Sequence, residues 1–160
     1  MSNTVMIAND AIFGAEAECF ITIGTRRYNF MQMTEFESKW EVNIAEVPIL
    51  GKVGMGHKPA GGKGTWSGTA HYNQSVFREM ANEYQKTGVL PYFEIQVSNE
   101  DPNSSAGRQT IIHRGCLCDS FILAKLTAGE ELLDEELSGT FESWDMPEKF
   151  HDLEGSLTNE

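Results

Sequence analysis

Six glycines and three lysines crowd the stretch from Gly51 to Gly64, with no acid among them. Glycine with lysine is the combination that cradles phosphate, so this is the first place to look for chemistry. The spacing does not fit. A P-loop needs Gly, four residues, then Gly-Lys-Ser/Thr, whereas Gly62-Lys63 is followed by Gly64 and the position five before Gly62 is His57. Gly54-Met55-Gly56 opens like a dinucleotide fingerprint, but Pro59 stands where the third glycine belongs. No helical pattern follows to supply the N-terminal dipole such sites use. The four histidines, His57, His71, His113 and His151, form no metal-ligand pattern. Cys116 and Cys118 lie two apart in a strand-like run, which puts both on one face as buried or half-buried free thiols. A Cys116 nucleophile with His71 or His113 would need an orienting third group and an oxyanion hole, and the sequence points to neither. Glu130-Glu131 and Glu135-Glu136 read as a solvated acidic turn. The expectation is therefore no catalytic residue, no cofactor and no metal: not an enzyme.

The elements that would carry these residues alternate with period two, the pattern of half-buried strands. Cys19 to Ile23 is a short strand and Gly24-Thr25 a turn. From Tyr28 to Ile44 a second strand carries Phe36, Trp40, Val42 and Ile44 on one face and Glu35, Glu37, Lys39, Glu41 and Asn43 on the other. That length far exceeds the usual five or six residues, so it implies a ribbon reaching beyond its domain or a sheet shared between subunits. Gly51 to Gly64 is expected to be a loop, the core of a Gly/Lys-rich 48–64 segment. The chain then returns through Thr65–Tyr72, with Trp66 and Tyr72 opposite Thr65, Ser67, Thr69 and His71. One helix follows, with Ser75 as N-cap, Val76, Phe77, Met80, Ala81 and Tyr84 on one face, and Gly88 beyond its end. Strands over Tyr92–Ser98, Gln109–Leu126 (with a bulge at Gly115) and Leu137–Trp144 complete a mainly β domain, and Met146 onward leaves the sheet.

The chain has 160 residues and a formal net charge of −12. That balance argues against wrapping nucleic acid, which needs clustered Lys and Arg, but not against a surface that DNA must pass without sticking. Residues 128–160 hold eleven acids and one base, Lys149, either a solvated face or a partner-binding segment. No apolar run approaches the roughly 18 residues of a membrane span. The first residues have neither the basic start nor the apolar core of a signal peptide, so synthesis and folding in a cytosol are expected.

Three stretches together resemble a known family. They are Glu41-Val42-Asn43 near the end of the long strand, Gly56-His57-Lys58 with the turn into Gly64-Thr65-Trp66-Ser67-Gly68-Thr69-Ala70, and Thr140-Phe141-Glu142-Ser143-Trp144-Asp145-Met146-Pro147-Glu148-Lys149. In order and spacing they resemble the tail tube protein of PBSX-like defective prophages, contractile phages and R-type bacteriocins, over about residues 15–150. The resemblance implies a single β-sandwich or barrel-like tail tube domain with one flanking α-helix, a variable arm over 1–17 and an acidic tail over 146–160. It implies long hairpins joining six copies into a shared β-barrel, with rings stacking into a tube in a virion or phage-like tail assembled in the bacterial cytoplasm. Tail sheath, baseplate and tail terminator proteins would be partners, and tape measure protein and DNA (or ions, in a bacteriocin) would pass through the lumen, with no membrane involved. On that reading Glu35, Glu37, Lys39, Glu41, Glu136 and Glu142 are lumen-facing candidates. Lys52, His57, Lys58, Lys63 and Trp66 are candidates for contacts between subunits or rings. Two alternatives share the composition: a monomeric β-sandwich module binding carbohydrate through exposed Trp66 or Trp144, and the tube of a type VI secretion machine.

Overall fold

The structure, a computed structural model, describes residues 5–14, 17–30 and 32–153. Its strands are β1 (Ala17–Ile23), β2 (Arg26–Asn29), β3 (Met33–Val47), β4 (Gly56–His71), β5 (Phe93–Glu100), β6 (Arg108–Ser120), β7 (Asp134–Phe141) and β8 (Ser143–Glu148). A single α-helix among the described residues, α1 (Val76–Thr87), lies between β4 and β5. The mainly β fold with one helix is what the alternation predicts. Two compact units result. One combines Met1–Met31, Tyr92–Arg114 and Trp144–Glu160, the other Gln32–Pro91 and Gly115–Ser143.

In the first unit the strand order is β2-β1-β5-β6, with β8 also on β6. β1 and β2 are joined through Gly24, whose φ of 61° suits a tight hairpin turn. Ile21 faces Ile95 and Ile23 faces Phe93 across the β1–β5 ladder, and Ile21, Ile95 and Phe93 are almost fully buried. His113 is buried beside them, its Nδ1–H donating to the Ile95 carbonyl at 2.9 Å. Burial holds its pKa below the ordinary imidazole value, against the opposing pull of that carbonyl. Ser98, Thr110 and Glu148 form a chain of hydrogen bonds (3.0 and 2.8 Å) that satisfies two buried hydroxyls. The 101–107 loop is tied to the segment before β1. Phe13 N–H donates to Asp101 Oδ2 at 3.1 Å, and Ser105 donates to Asp10 through its amide and hydroxyl at 3.0 and 2.7 Å. Cys19 is half-buried, and desolvation pushes its thiol up to about 12.

In the second unit the order is β6-β7-β4-β3. Trp66, Ala70, Leu137, Phe141 and Cys118 are buried on one face of this sheet. Phe77 and Met80 are the buried residues of α1. The helix ends as expected at Gly88 (φ 76°), whose N–H donates to the Tyr84 carbonyl at 2.8 Å. Ser75 holds the N-cap position without a side-chain cap bond. A stronger anchor is Arg78, which donates to Glu135 Oε2 at 2.6 Å and to the carbonyls of Ile122 and Gln74, with its guanidinium 4.3 Å from the Tyr72 ring centroid. Glu135 is 2% exposed, so the Glu135-Glu136 pair is not the solvated turn its sequence suggests. Period two splits it, Glu135 inward and Glu136 outward. Cys116 and Cys118 are both buried, as their spacing predicts.

Four boundaries differ from expectation. Tyr28–Ile44 is not one strand: β2 ends at Asn29, β3 begins at Met33, and they lie in different units. The 48–64 loop is confined to 48–55, because Gly56–Gly64 is strand, paired with β3 from Val47 to Trp40. β6 ends at Ser120, and Gly115 within it has φ 67°. The chain does not leave the sheet at Met146; β8 runs to Glu148 and pairs with β6, so the tail proper begins at Lys149, with 154–160 outside the described residues.

Losing either member of the Arg78–Glu135 pair leaves a buried charge. R78M or E135L alone should therefore destabilise by about 3–5 kcal/mol, and the R78M/E135L double variant by less than the sum. Urea unfolding of the four proteins checks this. For His113 the folded pKa lies below the unfolded value of about 6.5, so its contribution is full above that pH and is lost as pH falls through it, when the unfolded chain takes up the proton first. Between pH 7 and 5 the unfolding free energy should fall less steeply in H113Q than in the parent.

Candidate assembly site

The β3–β4 hairpin is the longest element, with strands of 15 and 16 residues. Its two faces are sorted by register. On one face Phe36 lies across from Gly68 and Leu137, Ser38 from Trp66 and Gly139, Trp40 from Gly64 and Phe141, and Val42 from Gly62. Rings occupy the space the glycines leave. A Cβ on Gly62 would come within 2.5 Å of the Trp40 ring, and one on Gly64 within 2.6 Å of the Phe141 ring. Phe36 and Trp66 stack at 6.1 Å between centroids, and Trp40 and Phe141 lie at 6.0 Å. Gly62 and Gly64, two of the glycines that looked like a phosphate cradle, are packing sites for aromatic rings. In sequence the signal was their alternation opposite Trp40 and Phe36, visible only once the pairing register is known.

The opposite face gathers five of the six lumen candidates. Glu35 and Glu136 flank Thr69 in one row, Glu37 shares a row with Ser67 and Ser138, Lys39 with Thr65 and Thr140, and Glu41 sits across from Lys63. All five candidates are exposed. Glu35 and Glu136 border a cavity of about 380 Å³ that Ser67, Thr69, Ser120 and Ser138 also line. The face thus presents carboxylates and hydroxyls, with Leu117 across from Thr140 as an apolar interruption. Glu142 stands apart: it falls in the break between β7 and β8, its carboxylate over Gly115. No group of three His, Cys, Asp or Glu among the described residues is arranged to hold a metal.

β4 pairs with β7 only from Gly64 to His71, so Gly56–Lys63 has β3 as its sole partner among the described residues. The outer half of the hairpin is a two-stranded ribbon, about 23 Å long over Glu41–Val47 at 3.3 Å per residue. One extra β4 residue between the Val42–Gly62 and Ile44–Pro59 pairs makes a bulge, where Gly61 has φ 96°. Trp40, Val42, Ile44 and Val47 are all exposed on the ribbon, Ile44 at 58%. A two-stranded ribbon is marginal in water, and this one leaves a run of apolar side chains exposed along it. Of the contact candidates, His57, Lys58 and Lys63 lie on this ribbon and Lys52 in the connection beyond it. Trp66 does not belong with them. It is 2% exposed, stacked on Phe36 in the core, and so is unavailable to a glycan or a neighbouring subunit.

A family model described as phage tail tube protein matches residues 4–148. The chain belongs to the phage tail tube protein family. It is 33% identical over 145 residues to the phage-like element PBSX protein XkdM of Bacillus subtilis (strain 168), covering 91% of this chain and 96% of that one. An uncharacterised protein of the same organism, YqbM, is 32% identical over 142 residues, covering 89% and 94%. Among solved structures, a chain of the anti-feeding prophage baseplate has a TM-score of 0.61 at 11% identity, covering 89% of this chain and 95% of its own. A chain of the PVC sheath/tube terminator of an extracellular contractile injection system has a TM-score of 0.56 at 10% identity, covering 81% and 93%. At these identities the likeness is one of fold. Family membership assigns a structural role in a phage-type tail.

Because the ribbon's apolar residues pack against little within their own chain, V42K/I44K should change monomer stability by no more than about 0.5 kcal/mol while weakening self-association. Thermal unfolding of dilute protein and sedimentation of concentrated protein read the two effects separately.

Proposed function

We propose that the chain is the structural subunit of an inner tail tube, closing as rings of six that stack into a hollow conduit. The observation that carries this reading is the half-unpaired β3–β4 ribbon. Its backbone edges and apolar face are satisfied when copies pair side by side. β3 ends the sheet order on one side, and β6 enters the second unit only with its Gly115–Ser120 half, its Arg108–Arg114 half lying in the first unit with β5. Pairing the β3 edge of one copy with the Gly115–Ser120 half of β6 in the next is a head-to-tail contact, which makes a ring where the rotation between copies closes. Six copies giving β3, β4, β7 and β6 each make a wall of about 24 strands. At about 4.8 Å between strands and a tilt near 40°, its backbone circle is about 48 Å across, a wet channel and not a filled core.

The carboxylate–hydroxyl face suits the lumen and the ring face suits the outer layer. Glu35, Glu37, Glu41 and Glu136, interrupted by Lys39, repel phosphate at short range, and screening confines that repulsion to roughly 8 Å at physiological salt. DNA and tape measure protein would pass without specific binding, with no chemistry asked of the protein. Sheath, baseplate and terminator proteins would meet its outside and ends.

Negative-stain electron microscopy of concentrated protein, with and without added tube fragments, tests the reading. Six-fold rings or tubes of one diameter are expected. The 16-residue β4, about 53 Å long and tilted by 35–45°, sets an axial repeat of about 37–43 Å. Monomers that refuse to grow on the fragments would overturn the reading.

A further inference from the structure

Two exposed features of the second unit, an apolar tip and a partly apolar groove, lie at opposite ends of the β3–β4–β7 sheet. The first is the connection at the ribbon's far end, residues 48–55. Leu50 and Val53 there are as exposed as side chains can be, at 102% and 106%, and Ile49 and Met55 are exposed beside them. Its only charge is Lys52. The second is a groove of about 400 Å³ between α1 and the chain after β6, lined by Ala81, Asn82 and Gln85 on the helix and by Phe121 and Leu123 opposite, with Arg78 at its edge. Leu123 is 68% exposed. The wall of the groove is tied to an acidic run. Tyr72 O–H donates to the Leu123 carbonyl, Tyr72 N–H to the Leu133 carbonyl at 2.9 Å, and Lys125 Nζ to the Asp134 carbonyl at 2.7 Å. Glu130, Glu131, Asp134 and Glu136 on that run are exposed.

We propose that the 48–55 tip of one copy seats in the groove between α1 and Phe121 with Leu123 of a second copy, end to end, with Lys52 directed at the acidic run. This rests on the tube reading and adds the axial contact to it. The match is one of shape and charge: a projecting apolar tip with a single cation, and a groove with Ala81, Phe121 and Leu123 for the tip, beside several anions. A projection and a recess at different places on one molecule make a heterologous contact, and repeated along the tube axis, with no rotation to close it, such a contact propagates. The direction follows from the sheet. From the level of Glu35 to Val47 is about 40 Å of strand, so no chain can fill its own groove with its own tip, and successive copies must point the same way.

Paired cysteines test the contact. V53C/N82C, oxidised after growth on tube fragments, should give a covalent ladder of many chains, and an equimolar mixture of V53C and N82C chains should give dimers only. A disulfide needs Cα atoms within roughly 7 Å, so the ladder is specific to this docking. The native Cys116 and Cys118 are buried and do not compete. L50E/V53E, altered only at exposed positions, should still form closed rings but no tubes. K52E should slow growth several-fold at low salt, with the gap closing as salt rises. Tubes from the parent together with no ladder, or with tube growth by L50E/V53E at the parent's rate, would overturn the docking and leave the ring intact. A parent that forms neither rings nor tubes would sink both.

Discussion

The exchange of glycine for aromatic ring across β3, β4 and β7 is the contact from which the rest of the second unit follows. Trp40, Phe141 and Trp66 lie over Gly62, Gly64 and Gly139, positions where a Cβ would collide with the indole, the phenyl ring, and the Leu117 carbonyl with the indole again. Because side chains alternate strictly along a strand, fixing these rings on one face fixes Glu35, Glu37, Lys39 and Glu41 on the other. A slip of one residue would bury three carboxylates and one ammonium and expose the rings. The register is thus specified by burial at the sheet end and transmitted along the ladder, past one bulge at Gly61, into a ribbon that has little burial of its own.

The helix end of the same sheet is held by different physics. Ala70 and Glu135 pair across β4 and β7 on the inward face, and Glu135 is matched by Arg78 from the first turn of α1. An ion pair in that position contributes little net stability, since desolvation offsets most of the attraction. What it does is forbid alternatives: α1 sits where its guanidinium reaches Glu135, Ile122 and Gln74 at once. The groove beside the helix takes its shape from this constraint, with Ala81, Asn82 and Gln85 on one wall because Arg78 is pinned below them.

Period-two alternation made the strands and the inward thiols legible, and 3.6-residue spacing with its end signals the helix, because each depends on neighbours in sequence. The charged face of β3 was legible for the same reason. What was hidden depends on partners far along the chain. Glycine normally weakens a strand, so Gly56–Gly64 reads as loop until Trp40 and Phe141 are seen to fill the space. Trp66 reads as a surface aromatic among Thr and Ser until Phe36 is found stacked on it. Glu135 looks identical to Glu136 until Arg78 arrives from 57 positions away. The junction between β2 and β3 escaped because Phe30 and Gln32 continue the local alternation, and both are buried.

A long, partly apolar ribbon is an aggregation hazard, and this one carries features that limit indiscriminate pairing. Pro59 has no N–H to give to a ladder, and it sits across from Ile44 at the bulge where Gly61 turns the strand. Lys58 and Lys63 place charge on the strand, and Lys39 on its partner, which a chance partner strand would have to desolvate or repel. A chain of net charge −12 repels its copies in general, while on the hairpin and its connection Lys39, Lys52, Lys58 and Lys63 balance Glu35, Glu37, Glu41 and Glu46. The surface best able to overcome the general repulsion is therefore the surface that carries the hairpin. An irregular, half-apolar ribbon finds few partner strands able to satisfy its bulge, its lysines and its exposed Val42 and Ile44 together, and under the proposed tube a second copy in register is one that can.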